Sequence, residues 1–143
     1  SRSPSVAVGA GISLVLAGCD AAAGEPCELA LREAMPVLDA HMQEVAKRAH
    51  SRQSRIDPGS TESVVAALDA QAELERARWA LSSAQHAFAL ERLEDLSRNV
   101  QGEQDAAHAS GVALGAASEL VSQTEHPSPS LEQAVTKLRS RCQ

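Results

Sequence analysis

Apolar side chains recur at alternating spacings of three and four residues along most of the chain after residue 26, which is typical of amphipathic helices. Four segments carry such a stripe. The stripes consist of Leu31, Met35, Leu38, Met42, Val45 and Ala49; of Ala70, Leu74, Ala77, Leu81, Ala84 and Phe88; of Ala106, Ala109, Ala113, Ala116 and Leu120; and of Leu131, Val135, Leu138 and Cys142. No alternating run typical of a β-strand occurs among these segments. The pattern therefore predicts an all-α chain.

Turn-forming residues predict where these helices begin and end. We expect a first helix over about residues 27–52, opened by Pro26, and a second that is capped near residue 60. Gly102 either ends the second helix or only bends one long helix, which leaves three and four helices as alternatives. The last helix is expected over about residues 130–141. Because alanine recurs in the stripes, we predict an antiparallel three- to four-helix bundle with closely packed, alanine-rich seams.

Two further features of the pattern predict how the helices meet their neighbours. Gly111 and Gly115 lie four residues apart on a second face of the third helix, and we expect them to permit tight packing within the molecule. The stripe of the second helix shifts phase after Phe88, which indicates a change of neighbour there. The shifted positions are Ala89, Leu93, Leu96 and Val100.

The segment before the helices has a different pattern. Residues 6–18 are thirteen consecutive residues without a charge, and a short stretch that contains Arg2 precedes them. A membrane span needs roughly 20 apolar residues, so this stretch is too short to be one. A basic start, a short apolar run and small residues at its end are the layout of a secretory signal peptide.

The end of this run, Leu16-Ala17-Gly18-Cys19, resembles the lipobox of bacterial lipoproteins. The resemblance implies that the Cys19 thiol is joined to diacylglycerol and that the signal is cut just before this cysteine. We therefore expect a signal peptide at residues 1–18, a lipidated N-terminus and spacer at 19–25, and a single helical domain at 26–143.

The same resemblance implies a location in the bacterial cell envelope. In enteric lipoproteins an aspartate directly after the lipidated cysteine marks retention at the inner membrane. Asp20 therefore favours the inner membrane, with the protein facing the periplasm. The outer membrane and the cell surface are the alternatives.

The two other cysteines, Cys27 and Cys142, are an even number in an oxidising compartment, where disulfides form and persist. Cys27 lies one helical turn before Leu31, and Cys142 lies on the apolar stripe of the last helix. In an antiparallel four-helix arrangement the start of the first helix and the end of the fourth lie at the same end. We therefore predict a disulfide between Cys27 and Cys142 that closes the bundle.

Composition excludes several kinds of partner. The formal net charge is -6, and an acidic surface repels the phosphates of nucleic acids. Trp79 and Phe88 are the only aromatic residues, so a stacking platform for bases or sugars is hard to build. The alanine-rich interior implies little volume for a ligand pocket. We expect no nucleic acid and no small-molecule substrate.

The sequence also lacks the common motifs of catalysis and metal binding. The nearest approach to a carboxylate-bridged metal motif is the pair Asp105 and His108, whereas such a site in a bundle needs two Glu-x-x-His motifs. We expect the histidines to be solvated. Glu91, with Glu94, Asp95 and nearby arginines, is expected on a solvated face with ion pairs. We predict no catalytic residues, no metal ion and no cofactor, and the protein is not expected to be an enzyme.

Trp79 is the one residue that points to a contact. It lies on the second helix about 200° from the apolar seam, among polar neighbours. A large aromatic side chain in such a place is often a contact for a partner protein. The alternative is that Trp79 fills a second interface between the helices.

Several functions are compatible with these features. The first is a membrane-tethered, non-catalytic adaptor or accessory subunit of an envelope complex, which binds a protein through a helical groove. The alternative is a periplasmic inhibitor or immunity protein. A second alternative is a protein similar to the secretin pilotins, which are also small helical lipoproteins. An enzyme or metal binder would need a polar pocket with clustered titratable groups.

Overall fold

The computed structural model of the protein describes residues 19–97 and 99–143, and the side chains of residues 26–93 and 99–143. The predicted signal peptide at residues 1–18 lies outside the described residues. Four helices form the described chain, and this part of the chain contains no β-strand. They are α1 (Cys19–Gln53), α2 (Thr61–Ser97), α3 (Val100–Gln123) and α4 (Pro129–Arg141). The prediction of an all-α bundle is confirmed, with four helices rather than three.

Side-chain caps begin the last three helices. The N–H of Ser63 donates to Oγ of Ser60 at 3.2 Å, just before α2. The N–H of Gly102 donates to Oδ1 of Asn99 at 2.6 Å, so Asn99 begins α3 and Gly102 lies in its first turn. Ser128 caps α4 in the same way. These caps satisfy backbone groups that a helix end leaves without a partner.

The start of α1 differs from the prediction. The helix begins at Cys19, so residues 19–25 are helical rather than an irregular spacer, and Pro26 lies inside the helix. Three successive alanines, residues 21–23, explain the extension, because alanine has the highest helix propensity. Proline lacks the N–H that would bond back to the preceding turn, so α1 has one backbone hydrogen bond fewer at Pro26.

Neighbouring helices pack in antiparallel order. α1 lies along α2, α2 lies along α3, and α4 packs on α1 with a smaller contact to α3. Ion pairs at both ends of the first pair fix its direction: Arg48 to Glu73 at 3.1 Å, and Arg92 to Glu28 at 3.7 Å. The two most extensive interfaces are therefore α1–α2 and α2–α3, and α4 packs against α1 and α3.

The core is made largely of alanine, with leucines from every helix. Its buried side chains include Leu31, Leu38, Ala77, Ala80, Ala84, Ala109, Ala113, Leu120, Leu131 and Leu138. Most residues of the four predicted stripes face this core, although Met35, Met42, Phe88 and Cys142 are only partly buried, and Val45, Ala49, Ala70 and Leu74 belong to a second core. Small side chains on α2 and α3 allow the two backbones to approach closely.

A second, smaller core lies at the far end of the α1–α2 pair. It consists of Val45, Ala49, Ala70 and Leu74, with no contribution from α3 or α4. Beyond the end of α3, therefore, only α1 and α2 continue. On this outer part of α2 Leu68 is 63% exposed.

Two predictions about helix faces are wrong. Leu93 and Val100 are exposed, and the buried stripe of α2 continues instead through Ala87 and Glu91. The glycines of α3 do not pack tightly. A Cβ atom added at Gly111 or Gly115 would meet no atom within 4 Å, so both glycines face open space.

The predicted disulfide joins the first part of α1 to the end of α4, at one end of the bundle. Cys27 on α1 is bonded to Cys142, which caps the C-terminus of α4, across a sequence separation of 115 residues. The bond therefore ties α4, the shortest helix, to the first part of α1.

Candidate functional site

Trp79 lies on the surface beside a groove between α2 and α3. Its side chain is 57% exposed, so the alternative in which it fills an interface between helices is wrong. A cavity of about 660 Å³ lies next to the indole. Its lining comprises Trp79, Ser82, Ser83, His86 and Leu90 from α2, and Asp105, His108, Ala109 and Val112 from α3.

A second cavity continues this groove toward the C-terminal end of α3. It measures about 610 Å³ and is also lined by Trp79 and Val112. Glu75, Arg76, Gly115, Ala116 and Glu119 complete its lining. We call the two together the Trp79 groove. Because Gly115 and Ala116 carry almost no side chain, the groove stays open along α3.

The floor of the Trp79 groove holds a hydroxyl group without a partner. Ser83 is 6% exposed, and its Oγ atom has no hydrogen-bond partner among the described residues. A buried polar group without a partner costs about 1–3 kcal/mol. The groove therefore offers a hydrogen-bonding group to whatever occupies it, beside the apolar surfaces of Trp79 and Val112.

The charged residues of the groove are mostly acidic. Its lining contains the carboxylates of Glu75, Asp105 and Glu119 and the guanidinium of Arg76. Glu75 is also bonded to Arg78, at 2.7 Å. The groove consequently presents an apolar centre with an acidic edge, which favours a basic, amphipathic occupant.

A polar cavity of about 710 Å³ lies on another side of α2, where α1 and α2 meet the connection between α3 and α4. We call it the polar cavity. It is lined by His41, Glu44, Arg48 and Arg52 of α1, by Asp69, Ala70, Ala72, Glu73 and Arg76 of α2, and by Gln123, Thr124, Glu125, His126 and Ser128. Arg76 lines both this cavity and the Trp79 groove.

Two nitrogen atoms at the polar cavity lack partners. The Nε2 atom of His41 and the Nε atom of Arg76 are buried and have no hydrogen-bond partner in the described part of the protein. Burial lowers the pKa of His41, as does Arg48, against the opposite effects of Glu73 and Glu44. The imidazole is therefore neutral at pH 7. The prediction that the histidines are solvated is wrong for His41, which is half-buried.

The acidic segment at the end of α2 also differs from the prediction. Glu91 is 7% exposed, and the Ser110 hydroxyl donates to its Oε1 atom at 2.9 Å. Ser110 Oγ is 3.5 Å from the Sγ atom of Cys27, so this cluster joins α2 and α3 beneath the disulfide. Arg92 pairs with Glu28. The side chains of Glu94 and Asp95 lie outside the described residues.

The acidic residues and histidines that the sequence analysis considered for metal binding do not form a metal site. Asp105 and His108 both line the Trp79 groove, but within the described chain no three side chains of His, Cys, Asp or Glu are grouped as metal ligands. None of the described helices has the length and apolar character that a transmembrane span requires. Cys19 is the first residue of α1, at the same end of this helix as the disulfide.

Sequence reasoning missed the Trp79 groove, the polar cavity and the buried Glu91. Each depends on which side chains of another helix lie opposite, and no local spacing encodes that. Comparison of the chain with protein-family models, with curated proteins and with solved structures finds no significant match.

Proposed function

We propose that the protein is a lipid-anchored adaptor of the bacterial cell envelope that holds a segment of a partner protein in the Trp79 groove. The exposed indole beside an open groove is the observation that carries this proposal. Tryptophan is among the residues that dominate binding energy at protein interfaces. Exposure of the apolar indole surface to water is unfavourable in free energy, and a partner that covers the indole removes this cost.

The partner segment is an amphipathic helix with basic residues. Its apolar side chains, spaced three or four residues apart, pack on Trp79 and Val112 between α2 and α3. A polar group of the segment reaches the Ser83 hydroxyl on the floor. Lysine or arginine side chains at its edge meet Asp105 and Glu119.

The proposed membrane anchor is diacylglycerol on Cys19. The support is the resemblance of residues 16–19 to a lipobox. The disulfide agrees with export to an oxidising compartment. Asp20 favours the inner membrane, with the bundle on the periplasmic side. Such a tether would concentrate the adaptor at the bilayer surface, where its partner would be captured.

Site-specific photo-crosslinking in intact cells tests the groove. A photoreactive amino acid is placed at Val112, which is 37% exposed across the groove from Trp79, and at Leu68 as a control outside the groove. We expect Val112 to capture one envelope protein that Leu68 does not capture. Mass spectrometry should locate the crosslink in a segment with apolar residues at helical spacing and with lysine or arginine.

A substitution makes this test specific. Trp79→Ala should weaken capture by roughly 30-fold, because truncation of an interface hot spot costs about 2 kcal/mol or more. Its thermal stability should stay close to that of the wild type, because Trp79 is largely exposed. Equal capture from Val112 and Leu68, or undiminished capture in Trp79→Ala, would refute the groove as the binding site.

The anchor has its own test. Cys19→Ser should move the protein from the membrane fraction to the soluble envelope fraction, and the N-terminal peptide of the wild type should carry the mass of acyl chains. An unmodified Cys19 in membrane preparations would refute the anchor without affecting the groove. If the captured protein is an enzyme that loses activity on binding, the inhibitor or immunity alternative replaces the adaptor.

A further inference from the structure

The polar cavity is a second concave surface, and its chemistry differs from that of the Trp79 groove. Three parts of the fold meet there: α1, α2 and the connection between α3 and α4. Its volume of about 710 Å³ falls within the range of small-molecule sites in proteins. The cavity lies between helix surfaces rather than inside the alanine-rich core, so tight core packing does not exclude a ligand.

Arg76 is the unusual residue of the polar cavity. It is half-buried, its Nε atom is buried without a hydrogen-bond partner, and it forms no ion pair with the described residues. An arginine that is partly removed from water normally pairs with a carboxylate or another acceptor. The buried Nε–H group of this guanidinium therefore has no acceptor in the described chain to offset its desolvation.

The nearby acids do not supply that acceptor. Glu73 belongs to the same cavity, but its Oε1 atom is bonded to Arg48 at 3.1 Å. This ion pair crosses from α1 to α2 and fixes the wall of the cavity next to His41. The pair between Arg48 and Glu73 thus leaves Arg76 available to a ligand.

His41 supplies the second contact. Its Nε2 atom is buried and unpartnered, and the lowered pKa of its imidazole keeps the ring neutral at pH 7. A neutral imidazole with its proton on Nε2 donates one hydrogen bond. Arginine donates through all its N–H groups and accepts none, so Arg76 calls for a ligand that presents acceptor oxygens, and the Nε2–H tautomer of His41 can donate to the same ligand.

The charges of the lining limit the ligand further. The lining contains three arginines and four acidic residues, so the acids outnumber the guanidinium groups by one. The arginines are Arg48, Arg52 and Arg76, and the acids are Glu44, Asp69, Glu73 and Glu125. This excess disfavours every anion, but it disfavours a multiply charged anion such as phosphate more than a single carboxylate, which can form short, charge-assisted bonds to a guanidinium. We propose that the polar cavity binds a small ligand with a single carboxylate group, which accepts hydrogen bonds from Arg76 and His41.

An NMR titration of the full chain with sodium acetate tests this proposal. The imidazole C–H signals of His41, assigned with a His41→Gln variant, should shift with acetate and reach saturation in the millimolar range, as expected for so small a probe. Bound carboxylate should also raise the pKa of His41, which a pH titration of the same signals measures. Sodium chloride at equal ionic strength is the salt control, and inorganic phosphate is the comparison anion.

Two arginine variants make the test specific. Arg76→Met should weaken acetate binding roughly 10- to 100-fold, because a hydrogen bond to a charged group contributes about 1.5–3 kcal/mol. Arg78→Gln is the matched control, because Arg78 lies on the same helix but pairs with Glu75 outside the polar cavity. It should bind acetate like the wild type.

Stability measurements separate a ligand site from a structural role. If Arg76 is held for a ligand, Arg76→Met should unfold at the same temperature as the wild type or higher, because an unpaired, half-buried charge is removed. A clear loss of stability would assign Arg76 to the fold and overturn the proposal. So would a chloride shift equal to the acetate shift, saturation by phosphate at the same concentration, or undiminished acetate binding in Arg76→Met.

Discussion

Removal of the disulfide should destabilise the bundle by about 3–5 kcal/mol. The double variant Cys27→Ala/Cys142→Ala deletes both sulfur atoms and leaves no unpartnered hydroxyl in the core. The bond closes a loop across 115 residues, for which the chain-entropy model gives about 5 kcal/mol, and measured losses are often smaller. For a domain of roughly 125 residues, a loss of this size should lower the melting temperature by about 12–20 °C.

The loss should begin at α4. This helix has 13 residues, too few to be stable alone in water, and it buries only Leu131, Ala134, Val135 and Leu138. Without the bond its C-terminus can detach from α1 before the rest of the bundle unfolds. Backbone amides of α4 should then lose protection against hydrogen exchange first, while those of α1 and α2 stay protected.

Urea unfolding followed by far-UV circular dichroism measures the total effect, and mass spectrometry under non-reducing conditions verifies the bond in the wild type. Wild-type protein treated with dithiothreitol is the matched control, and it should unfold at the same urea concentration as the double variant. A difference below about 1 kcal/mol between oxidised wild type and double variant would refute the chain-entropy reasoning.

The remaining predictions concern three polar residues. Ser83→Ala should leave the stability of the free protein unchanged or raise it, because its buried hydroxyl has no partner, whereas Ser110→Ala should cost about 1.5–3 kcal/mol, because Glu91 loses a hydrogen bond. Equal effects in urea unfolding would contradict this contrast. Stability should fall as the pH drops below 6.5, the ordinary pKa of histidine, because unfolded His41 takes up a proton more readily than folded His41. His41→Gln should reduce this decline between about pH 7.5 and pH 5.5, and an unchanged decline would show that other groups cause it.

The periodic part of the sequence was sufficient to predict the fold. Residues spaced three and four apart form the buried stripes of all four helices, because that spacing keeps them on one side of an α-helix. The disulfide could be predicted for a related reason. Cys27 and Cys142 lie at the end of two stripes, and antiparallel packing brings those ends together.

The faces of α2 after Phe88 could not be predicted from spacing alone. The sequence offers two continuations, one through Ala89 and Leu93 and one through Ala87 and Glu91, and hydrophobicity favours the first. The second is the one found, because the Ser110 hydroxyl of α3 supplies a hydrogen bond that makes burial of Glu91 tolerable. This contact joins residues 19 positions apart in the sequence, which is why local spacing does not reveal it.

The candidate sites were predictable only in part. Trp79 stood out as a large aromatic residue among polar neighbours, but the groove beside it depends on Val112 and Gly115 of α3. His41 and Arg76 lie on different helices, and neither has a sequence neighbour that marks it. Their missing partners become visible only when three elements of the fold are in place.

The positions of the two sites along α1 constrain the proposed adaptor. His41 lies roughly 30 Å from Cys19 at the rise of an α-helix. Arg76 lines the same polar cavity as His41, and it also borders the Trp79 groove one helical turn before Trp79. The polar cavity and the Trp79 end of the groove are therefore removed from the lipidated end that we propose, whereas the other end of the groove, at Leu90 and Asp105, lies near the disulfide. A segment that fills the groove must therefore extend from the level of the disulfide to about the level of His41 on α1, which favours a segment of a periplasmic domain over one confined to the membrane surface.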